Sequence, residues 1–342
     1  MAFRKSSDTR PQILSVAPAA AIPGGEFQVR GKGFGSVERP HVRFGDRDAS
    51  LVAGSDSYLI VRVPEGVLAP DLVVGRNGEV SVPRHCAVGT QISDNLHPVA
   101  NPAVDRRGTV YTTFSGSRGQ KTPVSIYKAE PDGELLPFVS DVINATGLAV
   151  DSEDVLYVSS RHEGTVYKIS PEGSISVYVE GMGVATGITF DKDGNLYVGD
   201  RSGTIFKVSP ERQIYVFATL EPSIAAYHIA FGVDDCLYVT GPTTSSYDSV
   251  HRVKPSGNVE LFFRGLGRPQ GLAFDVQGNL YVAASYGGRR GIVRIDPDAK
   301  AELFLSGQSI VGLAFSPMRD TIVATNSALY RVDAGIDGLR MP

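Results

Sequence analysis

Short apolar runs alternate with polar turns through the last three quarters of the chain, and no stretch holds the three-to-four spacing of an amphipathic helix. One pattern returns six times: NPAVDRRGTVYTTFS from Asn101, TGLAVDSEDVLYVSSR from Thr146, TGITFDKDGNLYVGDR from Thr186, YHIAFGVDDCLYVTGP from Tyr227, QGLAFDVQGNLYVAAS from Gln270 and VGLAFSPMRDTIVATN from Val311. A run such as GLAFD is apolar on both faces and predicts a buried inner strand. Asp and Gly in the following DKDGN or DVQGN supply a tight turn. LYV is then a second strand. TVYKIS, TIFKVS, HRVKPS or IVRIDP forms a third, and a PEG or PSG turn leads to an outer strand such as ISVYVEG, IYVFATL or VELFFRG.

Gly147, Gly187, His228, Gly271 and Gly312 mark one column of this repeat at intervals of 40, 41, 43 and 41 residues. A four-stranded unit of roughly this length, repeated radially, predicts a β-propeller blade, and six units predict six blades. An open β-solenoid is the alternative, with shorter repeats and capped ends. Closure favours the ring. The last unit supplies only GLAFS, TIVAT and ALYRVD before the poor strand former GIDGLRMP, while AVGTQIS, residues 87–93, stands before the first unit. Residues 87–92 are therefore expected to pair with the strand around Leu329–Val332 as the outer strand of the last blade, leaving no open seam. Tyr157, Tyr197, Tyr238 and Tyr281 are expected at equivalent positions between blades, and Leu148, Val150, Ile188, Phe190, Ile229, Phe231, Leu272, Phe274, Leu313 and Phe315 in the core.

Residues 11–86 lack the repeat. Closely spaced Gly, Pro and Asp separate short alternating strands, as in a small β-sandwich. The opening PQILSVAP, then GGEFQVRGKGFG, VRFGDRDA and VRVP, resemble the TIG/IPT immunoglobulin-like family over nearly the whole segment. That resemblance implies a spacer or binding module. GKGFG reads as a turn between strands, since no helix follows it and a Lys-Ser/Thr pair is missing. The fold class is thus all-β: a tail over 1–10, an Ig-like sandwich over 11–86, and a six-bladed β-propeller over 87–342 closed by an N-terminal strand. The repeated GLAFD…GNLYV units resemble the NHL-repeat and SMP-30/gluconolactonase-like propellers, which implies the fold and leaves both binding and enzymatic function open.

Composition narrows the functions. A net charge of −4 argues against a nucleic-acid partner. Two cysteines, Cys86 and Cys236, exclude a disulfide framework and a cysteine-based zinc cluster. No apolar run is long enough to span a membrane, and the start MAFRKSSDTRPQ shows no signal-peptide core. The expectation is a cytoplasmic protein, with an extracytoplasmic location as the alternative.

The second-to-third strand loops share one end of a propeller, here the top, with the blade-to-blade connections. The turns at the other end are acidic, whereas the top carries arginines near the ends of second strands. Guanidinium groups pair well with carboxylate or phosphate. Top loops SGSRGQKTP, GPTTSSYDS and ASYGGRRG are long, and long loops often carry function. His228 stands in the glycine column, and Asn101, Thr146, Thr186, Tyr227 and Gln270 fill the adjacent one, as a polar ring. A ligand site is expected at Asn101, Arg118, Arg161, Arg201, Tyr227, His228 and Gln270, with Asp200 and His228 the candidate catalytic groups. The partner is a small polar ligand or a protein.

The gluconolactonase resemblance would add a divalent cation, calcium, held by an acid on the first inner strand, an Asn before a Gly on a later one, and an Asp after a second strand. Asp200 in YVGDR matches the last. Asn101 stands in place of the first acid and Thr186 in place of the Asn. Asp200 and Asn101 are thus the metal candidates, for a lactonase in which the ion polarises a carbonyl. DKDGN at Asp191 reads as a hairpin turn rather than a calcium loop, and the Ser125-x-x-Lys128 spacing falls within a strand. Asn144-Ala-Thr146 is a glycosylation sequon.

Overall fold

The computed structural model describes residues 10–35, 39–131 and 133–341, and every regular element among them is a β-strand. Of the expected tail, residues 1–10, only Arg10 falls within the described residues. The chain divides into two compact units. The first runs to Thr90 and takes in residues 304–308 and 332–334; the second holds the rest.

In the first unit, Gln12–Ala17, Glu26–Lys32, Tyr58–Arg62 and Ser50–Gly54 form one sheet, in that order. Asp71–Arg76 and His41–Phe44 are the centre of another. Alternation along each strand sends Phe27 and Val29 from the first sheet, and Val42, Phe44, Leu72 and Val74 from the second, into one core. GKGFG, expected to be a turn, instead begins in the strand Glu26–Lys32 and leaves it without regular structure, with Gly33 and Gly35 at φ of 72° and 87°, where an L side chain is strained.

Along the rest of the chain six runs of four strands follow one another, and the fifth, from Leu272–Phe274 to Ala301–Ser306, is extended to six strands by Ala20–Ala21 and Ala87–Val88. The third, for example, is Ala185–Phe190, Leu196–Asp200, Thr204–Val208 and Ile214–Thr219, antiparallel throughout. In the sixth, Thr90–Ser93 lies outermost, beside Leu329–Asp333. The closing strand therefore starts at Thr90 rather than at residue 87: Ala87–Val88 pairs instead, in parallel, with Ala20–Ala21 of the first unit.

The first turn of each sheet is built by one side chain. Asp191 Oδ1 accepts from the backbone N–H of Asp193 and Asn195 at 3.0 and 2.9 Å, and Oδ2 accepts from the Tyr197 hydroxyl at 3.2 Å. Asp275 repeats this with Gln277, Asn279 and Tyr281. Two sheets solve the problem differently. Ser316 takes the place of the aspartate and accepts from Met318 and Asp320 N–H, while Gly232 takes it in the fourth sheet and Asp234 reaches Tyr238 instead, at 3.1 Å.

The tyrosines then join sheet to sheet. Tyr157, Tyr197, Tyr238 and Tyr281 each meet, edge on, the phenylalanine of the next inner strand: Phe190, Phe231, Phe274 and Phe315, with ring centroids 4.7–5.1 Å apart. The glycine column has its cause in the same convergence. A Cβ on Gly187 would lie 2.6 Å from the Tyr227 carbonyl oxygen, and one on Gly312 would lie 2.6 Å from Asn101 Cα. Inner strands approach so closely that most positions in the column exclude a side chain.

Candidate functional site

The inner strands surround a channel with a cavity of about 230 Å³. Its wall is mostly apolar, from Leu148, Ile188, Ile229, Leu272 and Leu313 among others. Val150 and Phe315 are only half-buried, since they face this cavity. Asp151, Asp154 and Arg106 rim the lower end, where the C-terminal segment crosses. Leu339 N–H donates to Phe274 O at 2.8 Å, Val276 N–H donates to Asp337 O at 2.9 Å, and Arg319 pairs with Asp337 at 3.0 Å. Residues 335–341 thus add no full strand but occupy the bottom of the channel.

The polar column is largely engaged with backbone. Asn101 lines the channel, but its Nδ2 donates to Leu272 O at 2.8 Å and its Oδ1 accepts from Leu313 N–H at 3.1 Å. Thr186 donates to Gly199 O and accepts from Tyr227 N–H. Gln270 is half-buried, and its backbone carbonyl accepts from the Thr240 hydroxyl. His228 is 4% exposed, and burial pushes its imidazole down to about 4, so it is neutral at physiological pH.

Asp200 caps its own loop. Its Oδ1 accepts from Val184 and Ser202 N–H at 2.8 and 3.2 Å, and Oδ2 accepts from the Ser202 hydroxyl. Arg161 and Arg201 follow equivalent second strands. Arg161 donates to Gly116 O at 3.0 Å and Arg201 to Ser223 O at 3.3 Å. Burial, and then the charge of Arg201, make Arg161 release its proton more readily than a free guanidinium. Arg118 is exposed in a loop held by Asn144, which bonds Gly116, Ser117 and Gly119. The sequon asparagine is therefore buried and already spent.

A larger groove, about 570 Å³, opens between the third and fourth sheets, at the end bearing Glu221 and Thr243. Of the expected site residues only Tyr227 lines it; its hydroxyl donates to Glu221 O. Sequence reasoning left Glu221 and His251 out of the site. The long loop GPTTSSYDS was the one signal pointing here, since Glu221, Tyr227, Thr243 and His251 come together only through sheet packing. Burial lowers the His251 imidazole, and the Glu221 charge partly opposes that shift.

Among the described residues, no three His, Cys, Asp or Glu side chains group so as to hold a metal ion. Asp200 and Asn101 spend oxygens on backbone N–H groups, so this donor set does not fit a hard cation that needs several free carboxylates. No helix of the described residues is long and apolar enough to cross a membrane.

No protein-family model matches the chain, and no curated protein matches it. Solved structures do. A gluconolactonase from Xanthomonas campestris aligns at 15% identity and TM-score 0.58, over 78% of this chain and 90% of that one. Virginiamycin B lyase from Staphylococcus aureus aligns at 16% identity and TM-score 0.52, over 69% and 80%. An auxiliary nutrient binding protein from Bacteroides thetaiotaomicron aligns at 11% identity and TM-score 0.58, over 95% and 98%. The fold is a β-propeller, all-β and without a helix among the described residues.

Proposed function

We propose that the chain is a binding protein: a six-bladed propeller, carrying an Ig-like N-terminal sandwich of the TIG/IPT kind, that takes a small polar ligand or a protein partner at its top. Six four-stranded runs support the blade count, and two sheets sharing one core support the sandwich. The observation that carries the reading is the engagement of Asp200 and Asn101, together with the burial of His228. Groups tied into loops and strands hold the scaffold and are not free to work on a substrate. The full-length likeness to a nutrient binding protein favours the same reading, because it spans both units. Arg118 and Arg201, the exposed arginines of the expected set, are then its ligand-facing members, and arginines prefer anionic groups.

The test is calorimetry against small polar molecules, with glucono-δ-lactone hydrolysis assayed in parallel. Saturable binding weakened by Arg201→Ala, without turnover, is the expected result. The second reading, a metal-dependent lactonase, is favoured by the propeller's likeness to a gluconolactonase. It requires chelator-sensitive turnover that Asp200→Ala abolishes; that result would replace the binding reading.

A further inference from the structure

The groove between the third and fourth sheets has the volume of a small-molecule site and a charge of one sign. Leu220, Pro222 and Val259 form its apolar wall, and no lysine or arginine lines it. Glu221 stands at the rim, and no ion pair engages it among the described residues. Behind Thr243 lies a second carboxylate. Thr243 N–H and hydroxyl both donate to Asp248 Oδ1, at 3.1 and 2.6 Å. Asp248 is 2% exposed, and its Oδ2 is buried with no hydrogen-bond partner among the described residues.

We propose that this groove binds an organic cation: a protonated amine on a hydroxylated frame of monosaccharide size. An anion entering it would face Glu221, with Asp248 behind Thr243 and no lysine or arginine in the lining. Besides His251, whose neutral ring offers one donor and one acceptor, the polar groups there favour donors on the ligand. The Tyr227 hydroxyl is spent as a donor on Glu221 O and keeps its acceptor capacity, and the Thr243 hydroxyl is spent on Asp248. An ammonium with neighbouring hydroxyls supplies donors to these acceptors, and the apolar wall takes its C–H face. This inference rests on the binding reading above and reverses, within the groove, the anionic preference drawn from the arginines.

The test uses the full chain and three probes of one ring frame: glucosamine, glucose and glucuronate, titrated calorimetrically at about pH 6.5, where an amine is protonated. Glucosamine is expected to bind at least about tenfold more tightly than glucose, with glucuronate weakest. Glu221→Gln, at an exposed rim position, should weaken glucosamine at least about tenfold and leave the melting temperature unchanged. Equal or tighter binding of glucuronate, an unchanged affinity in Glu221→Gln, or no binding of any probe overturns the proposal. If glucuronate binds and Arg201→Ala removes it, the cation groove fails while the top-end binding reading stands. Chelator-sensitive lactone turnover removes the reading itself.

Discussion

Tyr281 and Phe315 meet edge to face, 5.1 Å between ring centroids, across the boundary of the fifth and sixth sheets. The Tyr281 hydroxyl also reaches Asp275 Oδ2 at 3.2 Å. One side chain thus ties a turn to its own sheet and that sheet to the next. Burial and the adjacent carboxylate hold its phenol well above the usual tyrosine range, so it stays protonated and donating. The two roles separate by substitution. Tyr281→Phe keeps the ring and should cost about 1–2 kcal/mol, the range for one buried hydrogen bond. Tyr281→Ala should cost about 3–5 kcal/mol, as should Phe274→Ala on the neighbouring ring pair. Urea unfolding measures all three, and equal costs for Tyr281→Phe and Tyr281→Ala would refute the division of labour.

The turn carboxylates should rank by what replaces them. Asp275 is 1% exposed and accepts from two backbone N–H groups as well as Tyr281. Ser316 accepts from two backbone N–H groups in the sixth sheet. Asp275→Ser should therefore keep part of the turn, and Asp275→Ala should lose more, by about 1–2 kcal/mol. Thermal unfolding that finds the two variants alike would show that the backbone holds the turn without the side chain.

Stability should fall in mild acid because of His228. Its folded pKa, about 4, lies below the ordinary 6.5, so the unfolded chain takes the proton first. The contribution is complete above about pH 6.5 and disappears as pH falls toward 4, amounting to about 3 kcal/mol over that window. His228→Gln should flatten the difference between unfolding at pH 7 and pH 4.5, as expected from about one titrating group. Some slope remains, because burial lowers His251 in the same direction. An unchanged slope in His228→Gln would mean that the ring is not held neutral.

Both thiols should resist modification. Cys86 and Cys236 are free and buried, and burial pushes them up to about 12 and about 11. The thiolate is the reactive form. A disulfide reagent at neutral pH should label neither cysteine in the native protein and both after unfolding; rapid native labelling of either would contradict its placement.

The closing strand gives the last test. A chain beginning at Gly89 keeps Thr90–Ser93 beside Leu329–Asp333, whereas one beginning at Asp94 leaves that strand as an open edge. Light scattering should find self-association in the second beyond that of the first. Matching behaviour would show that the strand is dispensable for closure.

What the chain declares by itself is local. Inner-strand apolar runs, the turn aspartates and the tyrosine column repeat at short range, so periodicity and turn chemistry place the strands and the recurring tyrosines, whereas their Tyr157–Phe190 and Tyr281–Phe315 contacts come from the structure. The boundary at Thr90 was missed by three residues because Ala87–Val88 finds a partner at Ala20–Ala21, a pairing no local pattern marks. Side-chain direction was equally hidden. Asn101, Asp200 and His228 stand at positions that read as a polar mouth, yet each is drawn inward: Asn101 bonds Leu272 and Leu313 at the far end of the sequence, and Asp200 folds back on its own loop. The groove residues Glu221, Tyr227, Thr243 and His251 come from a connection, the position before an inner strand, a loop and a third strand. Only the packing of one sheet against the next brings them within reach of a single ligand, because a repeat fixes where strands begin and not which of their side chains meet.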